Sequence, residues 1–482
     1  MREETERQAP AAPQHKLKPA NENPWYVLMT LYGEQTEDLS KEQKPELHEK
    51  NRGAWNAWAG QALTEREKVA AAKVCEIDTS ELNAWKELEP DIRDRVQKRY
   101  LPLRGDLAAH CQIPELDTEL SFDRYYFEEG VCCKGFVFPM GLVAIDTKVE
   151  RQFEFSKSWF NLPLDLALEV NGWISLSGSS FGSDVNLALN INGGSFFSEA
   201  VFEKRAWFHI GTFKEMAYFK NIKFSGVADF SENSFEGGVD FSGSHFHDFS
   251  YFGKVKFRGS RKGGSAKVSF SDCVFEKPVR FRGAKFYRSY PILTGLMLRD
   301  SAYFSAQADF WPAPIQSKAL RRGDYEAAKS SCAAIRHILA KQGLPEDEHF
   351  FFRREMHFAS KIGPIWQRLP YLLFGWFSEC GYSIARPFWW LFAIWLLGTF
   401  VIAEHFVTET AKPLLGSDDW TAMALSFSNL FPVFGFGRAY FGAEFLQALP
   451  QHLKVLSGLQ TVASLPLLFF LGLGLRQRFR LR

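Results

Sequence analysis

Apolar positions in the middle of the chain fall on a fixed ruler. Phe202, Phe208, Phe213, Phe219, Phe224, Phe230, Phe235, Phe241, Phe246, Phe252 and Phe257 are separated by alternating steps of six and five residues. After an insertion over 258–269 the series resumes at Phe270, Phe275, Phe281 and Phe286. Steps of five and six turn a helix by about 140° and 240°, so one helix would scatter the rings over opposite sides. In one straight strand a step of five changes face. The rings share an interior only if the backbone bends about every five residues, as short strands joined by corners. The residue two before a ring also points inward by strand alternation, and it is small, β-branched or otherwise compact: Ala206, Gly211, Ala217, Ala228, Val239, Ser244, Val268, Cys273, Val279 and Ala284. A large ring beside a compact neighbour suits a narrow, close-packed lumen. Upstream, Phe155, Phe160, Leu166, Leu176, Phe181, Leu187, Phe197 and Phe202 keep a looser version of the rhythm.

Ala228-Asp229-Phe230-Ser231, Val239-Asp240-Phe241-Ser242-Gly243 and Ala308-Asp309-Phe310-Trp311 resemble the Phe-centred repeats of the pentapeptide-repeat family, over roughly residues 153–310. The resemblance implies a right-handed quadrilateral β-solenoid of about seven coils, a rod on the order of 35 Å long at the usual strand spacing. An open solenoid end leaves backbone groups unpaired and needs a cap. The aromatics of 122–140 are expected to lead into the first coil and cover it.

Residues 1–22 are polar and expected to be disordered, with no apolar stretch of signal-peptide type. Order is expected from Asn23-Pro24-Trp25, with a helix over 46–59 that carries Trp55 and Trp58 as a packing stripe. Thr64-Glu65-Arg66-Glu67 has capping-box spacing, and 91–98 reads as a charged helix. Beyond the solenoid, 318–341 and 346–360 read as a helical hairpin broken at Gly343 and Pro345, with Arg353 and Arg354 on a solvated face. Residues 369–377 are too short to span a bilayer and suit an interfacial helix.

Two uncharged stretches, 387–403 and 455–475, have the length of membrane spans. Arg386 precedes the first, and Arg476, Arg478, Arg480 and Arg482 follow the second, which predicts a multi-pass protein with both termini cytoplasmic. Between them, 419–437 reads as a short re-entrant helix followed by a loop. This order is similar to the two-span potassium-channel pore. Ser426 and Asn429 stand at the pore-helix end, and Val433, Phe434, Gly435, Phe436 and Gly437 stand in the place of the filter, where Gly permits carbonyls to line up. Three features depart from that pattern: Pro432 or Phe431 replaces the usual Thr, Phe434 is an extra residue, and Arg438 replaces an acidic residue.

The domains expected are 1–22, 23–150, 151–315, 316–384 and 385–482. The whole arrangement resembles bacterial membrane proteins with pentapeptide repeats, and the resemblance implies a place in the bacterial inner membrane.

Charge refines the expected partners. Net charge is +1 over 482 residues. Residues 254–288 carry 11 Lys and Arg against 2 acidic residues. Family members that mimic DNA need an acidic surface, so that use is disfavoured, and nucleic acid is not an expected partner. Lys254, Lys256, Arg258, Arg261, Lys262, Arg280, Arg282, Lys285 and Arg288 are instead candidate contacts to anionic lipid headgroups. His245 and His247 flank an inward ring and should point outward, with no third metal ligand nearby in sequence. The 7 Cys residues show no metal or disulfide spacing and read as reduced thiols. No cofactor, metal or catalytic constellation is expected, so the chain is not read as an enzyme. Two functions remain. One is a cytoplasmic solenoid that senses an unidentified protein partner and is coupled to a degenerate channel-like pore, as a homo-oligomer. The other is a membrane-anchored binding scaffold without transport.

Overall fold

The computed structural model describes residues 17–34, 45–104, 113–259, 267–313, 322–408 and 419–479. They belong to two compact units, Met1–Ala313 and Pro314–Arg482. Arg261 and Lys262 lie outside the described residues.

The first unit is a parallel β-solenoid of about eight turns. One side is an eight-stranded sheet that takes one strand from each turn, another is seven-stranded, and a fifteen-stranded sheet wraps the two remaining sides. Parallel register carries each ring onto its counterpart one turn later, as in Phe202↔Phe224 and Phe224↔Phe246. The result is a set of stacked ladders. Phe138, Phe160, Phe181, Phe202, Phe224, Phe246 and Phe275 follow one another at 4.5–5.0 Å between ring centres and within 14° of parallel. Phe208, Phe230, Phe252, Phe281 and Phe304 form a second. Phe197, Phe219, Phe241 and Phe270 form a third, and Phe213, Phe235, Phe257 and Phe286 a fourth. The strand spacing of about 4.8 Å sets the stacking distance. Across the lumen the rings meet edge to face, Phe219 and Phe230 at 89°, so both favoured aromatic geometries are used. The compact residues expected beside the rings are all buried.

The corners explain the step of the ruler. Gly135, Lys157, Gly178, Glu199, Asn221, Gly243, Asp272 and Gly295 occur once per turn with φ between 53° and 74°. A second corner uses Arg124, Asp146, Ile210, Glu232, Lys254 and Gly283. It is missing in two turns. There Leu164–Val170 and Val185–Ile191 run straight through as seven-residue strands with alternating burial. Those turns have three strands instead of four, and their partners stand 21 residues apart instead of 22. Deleting the left-handed residue fuses two sides into one, which is why the early Phe rhythm is loose.

The stack begins earlier than the Phe ruler indicates. Leu120–Ser121, Tyr125–Phe127, Val131–Cys132 and Val137–Phe138 are themselves the first turn, so 122–140 is a coil and not its cover. Lys18–Pro19, within the tail expected to be disordered, pairs with Tyr125–Tyr126. The cover is helical: α1 (Pro24–Met29), α2 (Pro45–Ala59), α3 (Glu65–Cys75), α4 (Thr79–Asn83) and α5 (Trp85–Arg104). Trp55 and Trp58 are buried there, as expected. α2 completes the open edge of the first turn. Asn56 Oδ1 accepts from Val137 N at 2.9 Å, its Nδ2 donates to Gly135 O at 3.1 Å, and Trp55 Nε1 donates to Val137 O at 2.8 Å. The capping box at Thr64 and Glu67 is formed. At the other end Trp311 stacks on Phe286 at 4.7 Å and closes the fourth ladder.

The second unit is helical. α6 (Arg322–Lys341) and α7 (Pro345–Ala359) form a hairpin that buries Cys332, Ile335, Leu339, Phe351 and Phe358. Arg336 bridges them to Glu355 at 2.8 Å. Arg354, expected on a solvated face, is buried, with its guanidinium 4.5 Å above the Phe350 ring. α8 (Ile365–Ser378), α9 (Ala385–Thr408), α10 (Asp419–Leu430), α11 (Phe436–Ala448) and α12 (Gln451–Phe479) follow. α9 and α12 are long and apolar enough to cross a membrane.

Candidate functional site

Helices α9, α10 and α12 pack together around a cluster of inward-turned polar side chains. Ser457, Gln460, Thr461 and Ser464 recur at the i, i+3, i+4, i+7 spacing of one helix face. Gln460 and Ser464 are buried. Gln460 Nε2 donates to Ser426 Oγ at 2.9 Å and to Ile394 O at 3.1 Å, and its Oε1 accepts from Asn429 Nδ2 at 2.9 Å. Asn429 Nδ2 also donates to Ser457 Oγ at 3.0 Å, and Asn429 O accepts from Thr461 Oγ1 at 3.0 Å. Ser426 Oγ donates to Trp395 O at 2.9 Å. Gly398 makes room for this cluster, because a Cβ there would lie 1.7 Å from Gln460 Nε2 and 2.6 Å from Ser426 Oγ.

The opposite faces are apolar and exposed. Trp389, Leu397 and Phe400 on α9 and Leu459, Val462 and Phe469 on α12 all stand out from the helices. Only 22% and 17% of the most apolar stretches of the two helices are buried. The core helix of a water-soluble fold has the reverse arrangement. α8 presents Ile365, Trp366 and Trp376 in the same way, while Phe377 packs against Trp390.

The residues resembling a pore divide between two environments. Ser426 and Asn429 are held in the polar cluster. Val433 and Phe434 are 80% and 68% exposed on a short 3-10 turn. Gly435 has φ +68° and opens α11, its carbonyl accepting from Arg438 N and Ala439 N at 3.1 Å each. Phe436 and Gly437 are the first residues of that helix. Within one chain the segment is therefore helical, in place of the loop with extended, aligned carbonyls that the resemblance implies. Gln460, Ser457, Thr461 and Gly398 escaped the sequence reading. The signal for the first three was a polar stripe at helical spacing inside an otherwise apolar span.

On the solenoid, the candidate lipid contacts gather around the second corner of the last turns. Lys254 and Gly283 are successive corner residues, and Lys256 and Lys285 face each other in register. Lys254 pairs with Glu232 at 2.8 Å and Arg258 with Glu236 at 3.8 Å. Arg280 lies over Tyr251, Lys285 over Tyr287, and Arg288 donates to Gly259 O. Lys256, Arg280, Arg282 and Lys285 form no ion pair among the described residues.

The six described thiols are free. Burial pushes Cys75 and Cys273 up to about 12 and Cys380 to about 11, so all three are held as thiols at neutral pH. In α7, burial lowers His349 to about 4, with Arg353 adding to the effect, so that imidazole is neutral. No protein-family model, characterised protein or solved structure matches the chain.

Proposed function

We propose that this chain is a membrane-anchored binding scaffold of the pentapeptide-repeat kind. Its solenoid offers flat outer faces to a partner, and the C-terminal helices fix it to a bilayer. The observation that carries this reading is the inside-out arrangement of α9 and α12, with apolar side chains outward and hydrogen-bonded polar groups inward. In hydrocarbon each unmet polar group costs several kcal/mol, so the hydrogen-bonded Gln460 cluster beneath an apolar exterior suits lipid, with Thr399 Oγ1 on α9 buried but unpaired among the described residues. Arg386 in the first turn of α9, and Arg476 and Arg478 at the end of α12, favour two crossings with both flanks cytoplasmic, as in a bacterial inner membrane. The basic corner around Lys256 and Lys285 then suits anionic headgroups of the same leaflet.

Transport is the second reading. It is favoured by the order span, short helix, span, and by the exposed Val433, Phe434 and Tyr440, which a second copy could cover. Reconstitution into proteoliposomes with an ion-flux readout separates the two. The scaffold predicts no flux above that of empty vesicles and a chain that resists extraction by alkaline carbonate until 385–482 is deleted. A flux abolished by Asn429→Leu would overturn it in favour of a pore.

A further inference from the structure

His245 and His247 stand on the outer side of the eight-stranded sheet, flanking the fully buried Phe246. Alternate residues of an extended segment share a face, and the two rings lie 3.9 Å apart, 29° from parallel. In the next turn Val274–Phe275 pairs with His245–Phe246, and Glu276 N donates to Phe246 O at 2.9 Å. That register sets Glu276 beside His247. Glu276 Oε1 lies 2.9 Å from His245 Nε2 and 3.7 Å from His247 Nδ1. The three donor atoms all lie within 4.8 Å of one another. The third ligand that is absent from the local sequence is thus supplied one turn later, 31 residues from His245.

We infer that His245, His247 and Glu276 bind one first-row divalent transition ion, zinc foremost, with its remaining coordination positions open to solvent. Ligands at 2.0–2.2 Å around a tetrahedral ion stand about 3.4 Å apart, so the observed separations need little adjustment. Two imidazoles and a carboxylate suit Zn²⁺, Ni²⁺, Co²⁺ or Cu²⁺, whereas Ca²⁺ and Mg²⁺ favour sets made entirely of oxygen. Both rings must be neutral to bind, and two imidazolium groups this close would repel each other. Arg299 opposes the ion, because its Nη1 lies 3.8 Å from Glu276 Oε1 and competes for that carboxylate. Lys223, in register with His245, adds positive charge. A bound ion would join the turns on either side of the 258–269 insertion, where the Phe ruler is interrupted. Binding to the folded state alone would also raise the melting temperature of the solenoid.

The test is titration of the full chain in detergent with Zn²⁺, against a chromophoric chelator, alongside four variants. One saturable equivalent is expected, lost in His245→Ala and His247→Ala. Affinity should fall roughly tenfold or more in Glu276→Gln, in keeping with the sensitivity of metal sites to their ligand shells. Arg299→Gln should bind severalfold more tightly, and this gain cannot come from misfolding. The inference is overturned if wild type binds no equivalent, if binding survives loss of both histidines, or if Glu276→Gln and Arg299→Gln leave the affinity unchanged.

Discussion

Ile210 holds a left-handed conformation, with φ 47°, at a corner where other turns use Glu232, Lys254 or Gly283. A β-branched residue is the poorest choice there, at a cost of roughly 1–2 kcal/mol. Its side chain is 72% exposed, so little packing offsets that strain. Ile210→Asn should therefore raise solenoid stability by about 1 kcal/mol in thermal melts, since Asn tolerates this region better; an unchanged or lower melting temperature would contradict the strain. Gly398 is the opposite case, a residue fixed by its neighbours. Gly398→Ala would push Gln460 from Ser426 and Ile394 and leave polar groups unmet among the helices. About 1–3 kcal/mol of stability should be lost, seen as a lower melting temperature in detergent. Neither position was legible as special in the sequence. A corner conformation depends on the phase of the whole coil, and the space around Gly398 depends on a glutamine from another helix. The inward Phe positions were legible because each repeats one environment many times over.

At the scale of elements, the seven-residue strands and the cap show what the Phe spacing concealed. Leu164, Leu166, Leu168 and Val170 alternate as any half-buried strand does. A search for five-residue steps passes over that pattern. The cap was foreseen as a need, but its supplier was misplaced, because α2 reaches the first turn through side-chain amide and indole groups instead of a strand. Asn56 acts there as a substitute backbone unit, meeting one amide and one carbonyl of the exposed edge. Asn56→Leu keeps the volume close and removes both bonds, so buried groups of Gly135 and Val137 go unmet. A loss of about 2–4 kcal/mol is expected at the usual cost of an unsatisfied group, and the uncovered edge should promote aggregation on heating. Were the helices docked by apolar packing alone, the leucine variant would melt with wild type and stay soluble.

For the whole molecule, the proposed scaffold joins a charged solenoid corner to an apolar anchor, and the two contributions can be measured apart. Residues 1–313 have a buried lumen of their own, a helical cover on the first turn and Trp311 closing a ladder at the last. Released from the anchor, this unit should bind vesicles only through charge. Each basic residue near an anionic surface contributes about 1 kcal/mol, and Lys256, Arg280, Arg282 and Lys285 are not engaged by acidic neighbours within ion-pair distance among the described residues. Sedimentation with vesicles containing an anionic phospholipid should therefore show binding that falls steeply between low and physiological salt, as the Debye length contracts. Lys256→Glu combined with Lys285→Glu should weaken it by roughly 30-fold or more, since at least two favourable contributions of that size are removed. Neutral vesicles should retain little of the unit under any salt condition. Equal retention on neutral and anionic vesicles, or indifference to the double reversal, would mean that this corner does not engage the bilayer. The anchor would then be the sole membrane contact, carried by the exposed faces of α8, α9 and α12.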